Sequence, residues 1–220
     1  MTETHADALS GLESPEEAAY ELRAAEASIW TGSRLLISIF AFTFAALAFA
    51  YFYLRSSNSA DLWRPNGVTA PTATGAAIMA FTLAVTGLQY YGVRRLRSGT
   101  ILDWEVAGWT AVLAGLIALG LQCWELTDVP FTPGSSGYAS VFTGWAVLNI
   151  ALLLGGLYWA ETLLARHVRL RRAHVEEGGE KSGLLVARVT RINIVSCAHF
   201  WMFIGLIAVF FWVFFYVVAG

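Results

Sequence analysis

Long runs of apolar residues, separated by short stretches that hold most of the charges, dominate this chain of 220 residues. A helix needs about 20 mostly apolar residues to cross the hydrocarbon core of a bilayer. Continuous runs favour helices over a membrane barrel, whose strands would alternate apolar and polar positions. Five runs are long enough, and they predict spans at about 34–54, 72–93, 106–126, 138–163 and 193–219. The predicted fold class is therefore an all-α integral membrane bundle of five transmembrane helices.

Basic residues collect in two of the connections between these predicted spans. Cytoplasmic loops of membrane proteins carry an excess of Lys and Arg, whereas acids contribute little to orientation. The 94–105 and 164–192 connections contain Arg94, Arg95, Arg97, Arg166, Arg169, Arg171, Arg172, Lys181, Arg188 and Arg191. The other two connections, 55–71 and 127–137, hold only Arg55 and Arg64 between them. We therefore predict a cytoplasmic N-terminus and a C-terminus on the outer face.

Residues 1–29 differ from the rest of the chain because they hold seven acids and one arginine. They lack the basic segment followed by an apolar segment that marks a cleaved signal peptide. We predict an acidic cytoplasmic tail over 1–29, in front of a transmembrane domain over 30–220. The alternative is that residues 16–27 form an amphipathic helix that docks on a partner.

The composition agrees with a membrane protein and excludes other classes. Hydrophobic residues make up 57% of the chain and charged residues 14%, whereas about a quarter of the residues in a soluble domain are charged. The net charge of −2 leaves no basic face for phosphates, so we expect no nucleic-acid partner. Cys123 and Cys197 lie in apolar runs without CxxC spacing and are predicted to be packing residues.

Residues that could carry redox or transport chemistry are scarce in the predicted spans. His199 is the only histidine inside a span, which excludes a haem held by two histidines of this chain; we interpret it as an interface or packing residue. The central thirds of the spans hold no ionisable side chain, although active transporters normally keep one there. The chain is predicted to have no catalytic, metal or cofactor site of its own.

Two sets of polar residues near the span ends are the candidate sites. Gln122 and Glu125 lie three residues apart on one face of the third span, and with Arg55 they form a candidate structural polar cluster. We predict that Glu125 pairs with a basic residue or an outer-loop amide. The second set, Arg94, Arg95 and Arg97, either contacts lipid phosphates or only determines the topology.

Small and aromatic residues indicate how the helices pack and where they sit. Glycines let transmembrane helices approach closely, and the third and fourth spans contain Gly115, Gly120, Gly144, Gly155 and Gly156. Aromatic residues near span ends are typical of anchoring at the membrane surface, and we predict this role for Trp63, Trp104, Trp109, Trp124, Tyr138 and Tyr216.

Five stretches, read in order, carry a resemblance to a known family. They are Ala50-Tyr51-Phe52-Tyr53-Leu54-Arg55; Trp63-Arg64-Pro65-Asn66-Gly67-Val68; Gly115 with Leu121-Gln122-Cys123-Trp124-Glu125; Gly137-Tyr138-Ala139-Ser140-Val141-Phe142-Thr143-Gly144-Trp145; and Phe200-Trp201-Met202-Phe203-Ile204 with Tyr216. Over about residues 30–220 the chain resembles subunit III of the haem-copper terminal oxidases, in the five-helix form. That form lacks the first two helices of the longer one.

The resemblance implies a non-catalytic subunit of a cytochrome c oxidase-type complex in aerobic respiration, in a bacterial cytoplasmic (inner) membrane. Haem and copper would then belong to the partner catalytic subunit I and to subunit II, within a complex that could extend to a larger respiratory supercomplex. It also implies bound phospholipid, stabilisation of the active centre and easier oxygen access through the lipid.

The chain departs from the family where the family keeps polar residues in its helices. Those positions fall at Phe40, Ala146, Asn149, Met202 and Gly205, so a role in feeding protons to the catalytic subunit does not carry over. Two alternatives stay open: a subunit-III-like component of a nitric oxide reductase or quinol oxidase, and, from another class, a small passive transporter or lipid-binding membrane protein.

Overall fold

The computed structural model describes residues 15–57, 63–65, 68–177 and 180–218, and within these ranges it is helical throughout and contains no strand. The helices are α1 (Pro15–Ser56), α2 (Thr72–Arg97), α3 (Ile101–Asp128), α4 (Gly137–Glu177) and α5 (Glu180–Trp212). A π-helical turn, Val213–Val218, continues α5. Each helix contains a segment long and apolar enough to cross a membrane. The predicted five-helix, all-α fold is confirmed.

The helices extend beyond the predicted spans at the end where the arginines collect. This basic end contains the first turns of α1, α3 and α5 and the last turns of α2 and α4. Residues 15–29, predicted as a soluble tail, form the first turns of α1 and bury Leu22. The helix over 16–27 that the alternative requires is present, and residues 1–14 lie outside the described ranges.

Helices α4 and α5 are the central elements of the bundle, because each packs extensively on three others. Helix α5 contacts α1, α2 and α4, helix α4 also contacts α1 and α3, and a further extensive contact joins α2 to α3. Helix α1 is the most peripheral: 11% of its most apolar stretch is buried, compared with 50% in α4. Its exposed apolar side chains, which include Leu35, Ile39, Phe42 and Phe49, therefore face lipid or another protein.

Aromatic residues fill the bundle at the end opposite the basic end. The ring of Tyr51 lies 5.0 Å from that of Trp63, and Trp63 lies 6.0 Å from Tyr138. The prediction that Trp63, Trp104 and Tyr138 anchor the membrane surface is wrong, because all three are buried. Trp109 and Trp124 are exposed, as anchoring requires.

The π-helical turn is held by tyrosines from two other helices. The carbonyls in the last turn of a helix have no partner further along it and need other donors. The hydroxyl of Tyr51 donates to the carbonyl of Phe214 at 2.7 Å, and that of Tyr138 donates to the carbonyl of Phe215 at 3.1 Å. The C-terminal turn is thereby tied to α1 and α4.

Glycines mark some of the close contacts, as predicted, but not all of them. A Cβ on Gly115 would lie 2.6 Å from Leu157, and one on Gly156 would lie 3.0 Å from Trp201. Gly120 and Gly155 face open space, and Gly144 has Leu47 at 3.8 Å. The position of a glycine in the sequence does not distinguish one that packs against another helix from one that faces open space. Of the cysteines, Cys197 is buried as predicted, whereas Cys123 is exposed and the packing role predicted for it is wrong.

Candidate functional site

A buried group of polar side chains lies inside the bundle near the end opposite the basic end. Gln122 and Glu125 project from α3, Asn149 projects from α4, and Tyr216 projects from the π-helical turn. We call these four residues the carboxylate cluster. Gln122, Glu125 and Asn149 have no exposed surface, so α3, α4 and the end of α5 meet here through hydrogen bonds and not only through apolar packing.

The hydrogen bonds of the carboxylate cluster form a series that ends at Glu125, with each donor pointing toward it. The Asn149 amide donates to Oε1 of Gln122 at 2.9 Å, and Nε2 of Gln122 donates to Oε2 of Glu125 at 2.8 Å. The hydroxyl of Tyr216 donates to Oε1 of Glu125 in a short hydrogen bond. Both hydrogen bonds to Glu125 end on its carboxyl oxygens, and the amides of Gln122 and Asn149 each turn an N–H group toward Glu125.

Tyr216 reaches the carboxylate because a glycine in α2 leaves room for its ring. A Cβ on Gly75 would clash with the Tyr216 ring, and Gly75 itself is buried. The ring also contacts Phe142 and Phe211 edge-on. Four helices therefore take part in placing the hydroxyl of Tyr216 on Glu125.

The structure brings together two of the three residues of the predicted polar cluster. Gln122 and Glu125 are in contact, but Arg55 is exposed near the end of α1, where it donates to the hydroxyl of Tyr51 at 3.4 Å. The prediction that Glu125 pairs with a basic residue or an outer-loop amide is wrong, because the amide of Gln122 and the phenol of Tyr216 occupy that role. A carboxyl group inside a membrane bundle needs such donors, since burying it without them is costly.

Sequence reasoning missed Asn149 and the contact of Tyr216. Asn149 stands at the position of a family histidine, and a lone amide in the uncharged centre of a span is itself a signal of an interhelical hydrogen bond. Tyr216 was interpreted as a surface anchor, and nothing local in the sequence links it to a glutamate 91 residues away.

The carboxylate cluster is better suited to joining helices through hydrogen bonds than to catalysing a reaction. Within the described ranges, no three His, Cys, Asp or Glu side chains lie close enough to hold a metal ion. His199 lies on the surface, where its ring packs edge-on against Trp30 at 5.5 Å. The carboxylate cluster contains one acidic side chain, Glu125, and its other three members are uncharged.

The three arginines predicted to contact lipid phosphates have different surroundings. Arg95 forms an ion pair with Asp103, with Nε 2.6 Å from Oδ2, and closes the turn between α2 and α3. Gly99, with φ of 87°, adopts the left-handed conformation that this turn needs. Arg94 is exposed, and Arg97 lines a groove that also contains Arg23 and Arg191.

The residues that carry the family resemblance lie partly in the interior and partly on the surface: Tyr138 and Trp201 are buried, whereas Trp124 and Met202 are exposed. Trp201 packs against Gly115 and Gly156 in the middle of the bundle, and Gly137 accommodates the ring of Trp63. Thr143 donates to the carbonyl of Ala139 at 2.8 Å. The carbonyl of Pro65 accepts from the amide of Val68 at 3.1 Å, and Gly67 lies outside the described residues.

No protein-family model matches the sequence, and a search of curated proteins finds no match either.

Proposed function

We propose that this chain is a non-catalytic, subunit-III-like component of a haem-copper terminal oxidase in a bacterial cytoplasmic membrane. The observation that supports this most is that motif residues chosen by their order along the chain contact one another. Trp63 packs on Tyr138, Gly115 packs on Trp201, and Tyr216 donates to Glu125.

In this proposal the chain acts as a scaffold and the partner subunits perform the reaction. Haem and copper belong to subunits I and II, where dioxygen is reduced. The carboxylate cluster, together with the hydroxyls of Tyr51 and Tyr138 that donate to the π-helical turn, keeps the far end of the bundle in one arrangement. A rigid neighbour of this kind stabilises a catalytic subunit and retains phospholipid beside it.

The proposed orientation places the basic end in the cytoplasm. Arginines of α2, α4 and α5 gather at that end, and an excess of basic residues marks the cytoplasmic side. Glu125 and the aromatic residues around Trp63 then lie toward the outer face.

The proposal is tested by affinity purification from native membranes in mild detergent, followed by a visible absorption spectrum. A chain tagged at its N-terminus should co-purify with haem absorption bands, which should be missing from the eluate of untagged cells. A stable, haem-free preparation would refute the proposal and would favour the passive transporter or lipid-binding alternative.

The same preparation distinguishes the related complexes. Copper content, and oxygen consumption with reduced cytochrome c, are expected for the proposed oxidase. Activity only with a quinol, or reduction of nitric oxide in place of oxygen, would assign the chain to one of the two alternative complexes.

A further inference from the structure

A groove at the basic end lies between the first turns of α1, the last turn of α2 and the start of the apolar part of α5. Its volume is about 530 Å³, and sites that hold small molecules measure about 300–1,000 Å³. The residues that line it are Arg23, Glu26, Ala27, Trp30, Arg97, Arg191, Ile192 and Val195. The wall that α1 supplies belongs to a segment predicted largely as a soluble tail.

Three guanidinium groups from three different helices converge on the groove. Arg23 belongs to α1, Arg97 to α2 and Arg191 to α5, and all three are exposed. The ion pairs found among the described residues join other side chains. Glu26 offsets one charge, so the lining carries two positive charges in excess, which the net charge of −2 for the whole chain does not reveal.

The guanidinium groups are suited to phosphate. A planar guanidinium matches the geometry of phosphate oxygens, to which it can donate two parallel hydrogen bonds. The Nε of Arg23 donates to the carbonyl of Ala19 at 3.1 Å, which orients this side chain along α1. Cations that approach from three helices suit a ligand whose negative charge is spread over more than one phosphate group.

The indole of Trp30 gives the groove a flat aromatic wall. Its position is fixed by Arg34, whose guanidinium lies 4.5 Å from the centre of the ring, and by His199, whose ring packs edge-on at 5.5 Å. Aromatic side chains stack on any nucleic-acid base, because every base has a π-face. The groove therefore combines a surface for a base with donors for phosphate.

Glu26 adds an acceptor between these two parts. It lies one helical turn before Trp30, on the same face of α1. A carboxylate accepts about four hydrogen bonds, so it can accept from the hydroxyls of a sugar in addition to the contacts that it makes within the protein. A bare anion would not use this group.

The groove opens to water and not to the hydrocarbon of the bilayer. All its lining residues except Val195 lie outside the predicted spans. Charged side chains are costly at membrane depth, so the part that contains Arg23, Arg97 and Arg191 lies at the aqueous surface. A soluble ligand reaches such a site directly.

We propose that this groove binds one soluble nucleoside diphosphate. The three arginines hold its phosphates, Trp30 packs on its base, and Glu26 accepts from the hydroxyls of its ribose. The site uses residues of this chain alone, so it does not depend on which partner subunit the chain joins.

The test is isothermal titration calorimetry on the full-length chain in detergent, with ADP, adenosine and inorganic pyrophosphate as ligands. One ADP should bind per chain, at least tenfold more tightly than either of its two parts. Arg23→Gln, Arg97→Gln and Arg191→Gln together should weaken ADP binding roughly a hundredfold, since an exposed ion pair contributes up to about fivefold.

A second variant separates the base from the phosphates. Trp30→Leu should weaken ADP binding about tenfold, because a stacked base is lost, but should leave pyrophosphate binding within about twofold. Trp109→Leu is the matched control, since Trp109 is exposed on α3 and does not line the groove. It should leave the binding of both ligands unchanged.

The control for surface charge changes three exposed arginines outside the groove: Arg94→Gln, Arg166→Gln and Arg169→Gln. This variant should bind ADP within about twofold of the wild type, because salt screens charges outside the site. If the groove triple variant does not fold, as judged by circular dichroism, Arg97→Gln and Arg191→Gln are measured singly, and each should weaken binding up to about fivefold.

Four results would overturn the proposal. The wild type could fail to bind ADP. Pyrophosphate could bind as tightly as ADP, which would indicate a site for simple anions. The surface-charge control could lose as much affinity as the groove variant. Phosphatidylglycerol added to the micelles could abolish ADP binding, which would assign the groove to a lipid headgroup.

Discussion

The hydrogen bond from Tyr216 to Glu125 can be removed with little change in shape by the substitution Tyr216→Phe. The ring would still fill the space above Gly75 and contact Phe142. What is lost is one donor to a fully buried carboxyl group, which would keep only the amide of Gln122. The variant therefore measures the hydrogen bond separately from the packing of the ring.

The expected cost lies between two reference values. Hydrogen bonds between transmembrane helices contribute about 0.6 kcal/mol on average, because the unfolded chain in the membrane also finds partners. Hydrogen bonds to charged groups in proteins contribute about 1.5–3 kcal/mol. Since Glu125 is buried and its partner comes from a distant part of the chain, we expect Tyr216→Phe to lower the free energy of unfolding by about 1.5 kcal/mol.

The assay is reversible unfolding in mixed micelles, as the share of a denaturing detergent is raised, followed by near-ultraviolet circular dichroism. Tyr158→Phe is the matched control, because Tyr158 is exposed on α4 and is 73% accessible. That variant should remain within about 0.5 kcal/mol of the wild type, as surface substitutions usually do. In a Glu125→Gln background the effect of Tyr216→Phe should fall to about half, because hydrogen bonds to charged groups are roughly twice as strong as neutral ones.

Two outcomes would refute this reasoning. If Tyr216→Phe were no more harmful than Tyr158→Phe, the hydroxyl would not stabilise the bundle. If its effect were unchanged by Glu125→Gln, a negative charge on Glu125 would not strengthen the hydrogen bond.

Three further predictions concern other parts of the bundle. Gly75→Ala should lower the free energy of unfolding by about 1–3 kcal/mol in the same micelle assay, because the new methyl group displaces a packed ring. Gly155→Ala adds its methyl group to open space and should leave the free energy of unfolding unchanged or raise it by up to about 1 kcal/mol. If Gly75→Ala and Gly155→Ala changed the free energy of unfolding equally, the packing of the Tyr216 ring on Gly75 would be contradicted. Asp103→Asn should lower the free energy of unfolding by less than about 1 kcal/mol, and by less still at high ionic strength, because its ion pair with Arg95 is partly exposed. A large loss of stability that does not depend on salt would contradict this. In a cysteine-free background, an impermeant maleimide should label Ser135→Cys but not Ser98→Cys in intact spheroplasts, and should label both after lysis; the reverse pattern would invert the proposed orientation.

The number and place of the helices could be predicted because both depend on a property of contiguous sequence. A span is recognised by its apolar length, and all five predicted spans lie within helices except for the last residue of the fifth, which is not described. The start of α1 could not be predicted in this way, since an acidic amphipathic segment such as 16–27 can be a tail or a helix. In the structure it continues the helix of the first span and buries Leu22.

The partners inside the bundle depend on contacts between residues far apart in the chain. Gln122 and Glu125 were paired correctly because helical geometry places them on one face. Tyr216 was interpreted as an anchor because a tyrosine near a span end has the same local surroundings whether it points outward or inward. Only the packing of α5 against α2, with Gly75 beneath the ring, distinguishes the two cases.

The hydrogen bonds made by the π-helical turn can form only after the last helix has been synthesised. The ribosome makes α5 after the other four helices, so during translation α3 enters the bilayer with a glutamate whose phenol partner does not yet exist. The hydroxyls of Tyr51 and Tyr138 likewise lack their acceptors, the carbonyls of Phe214 and Phe215, until α5 has been made. We expect a chain that stops before residue 213 to be a substrate for membrane proteases even though all its preceding helices have been inserted.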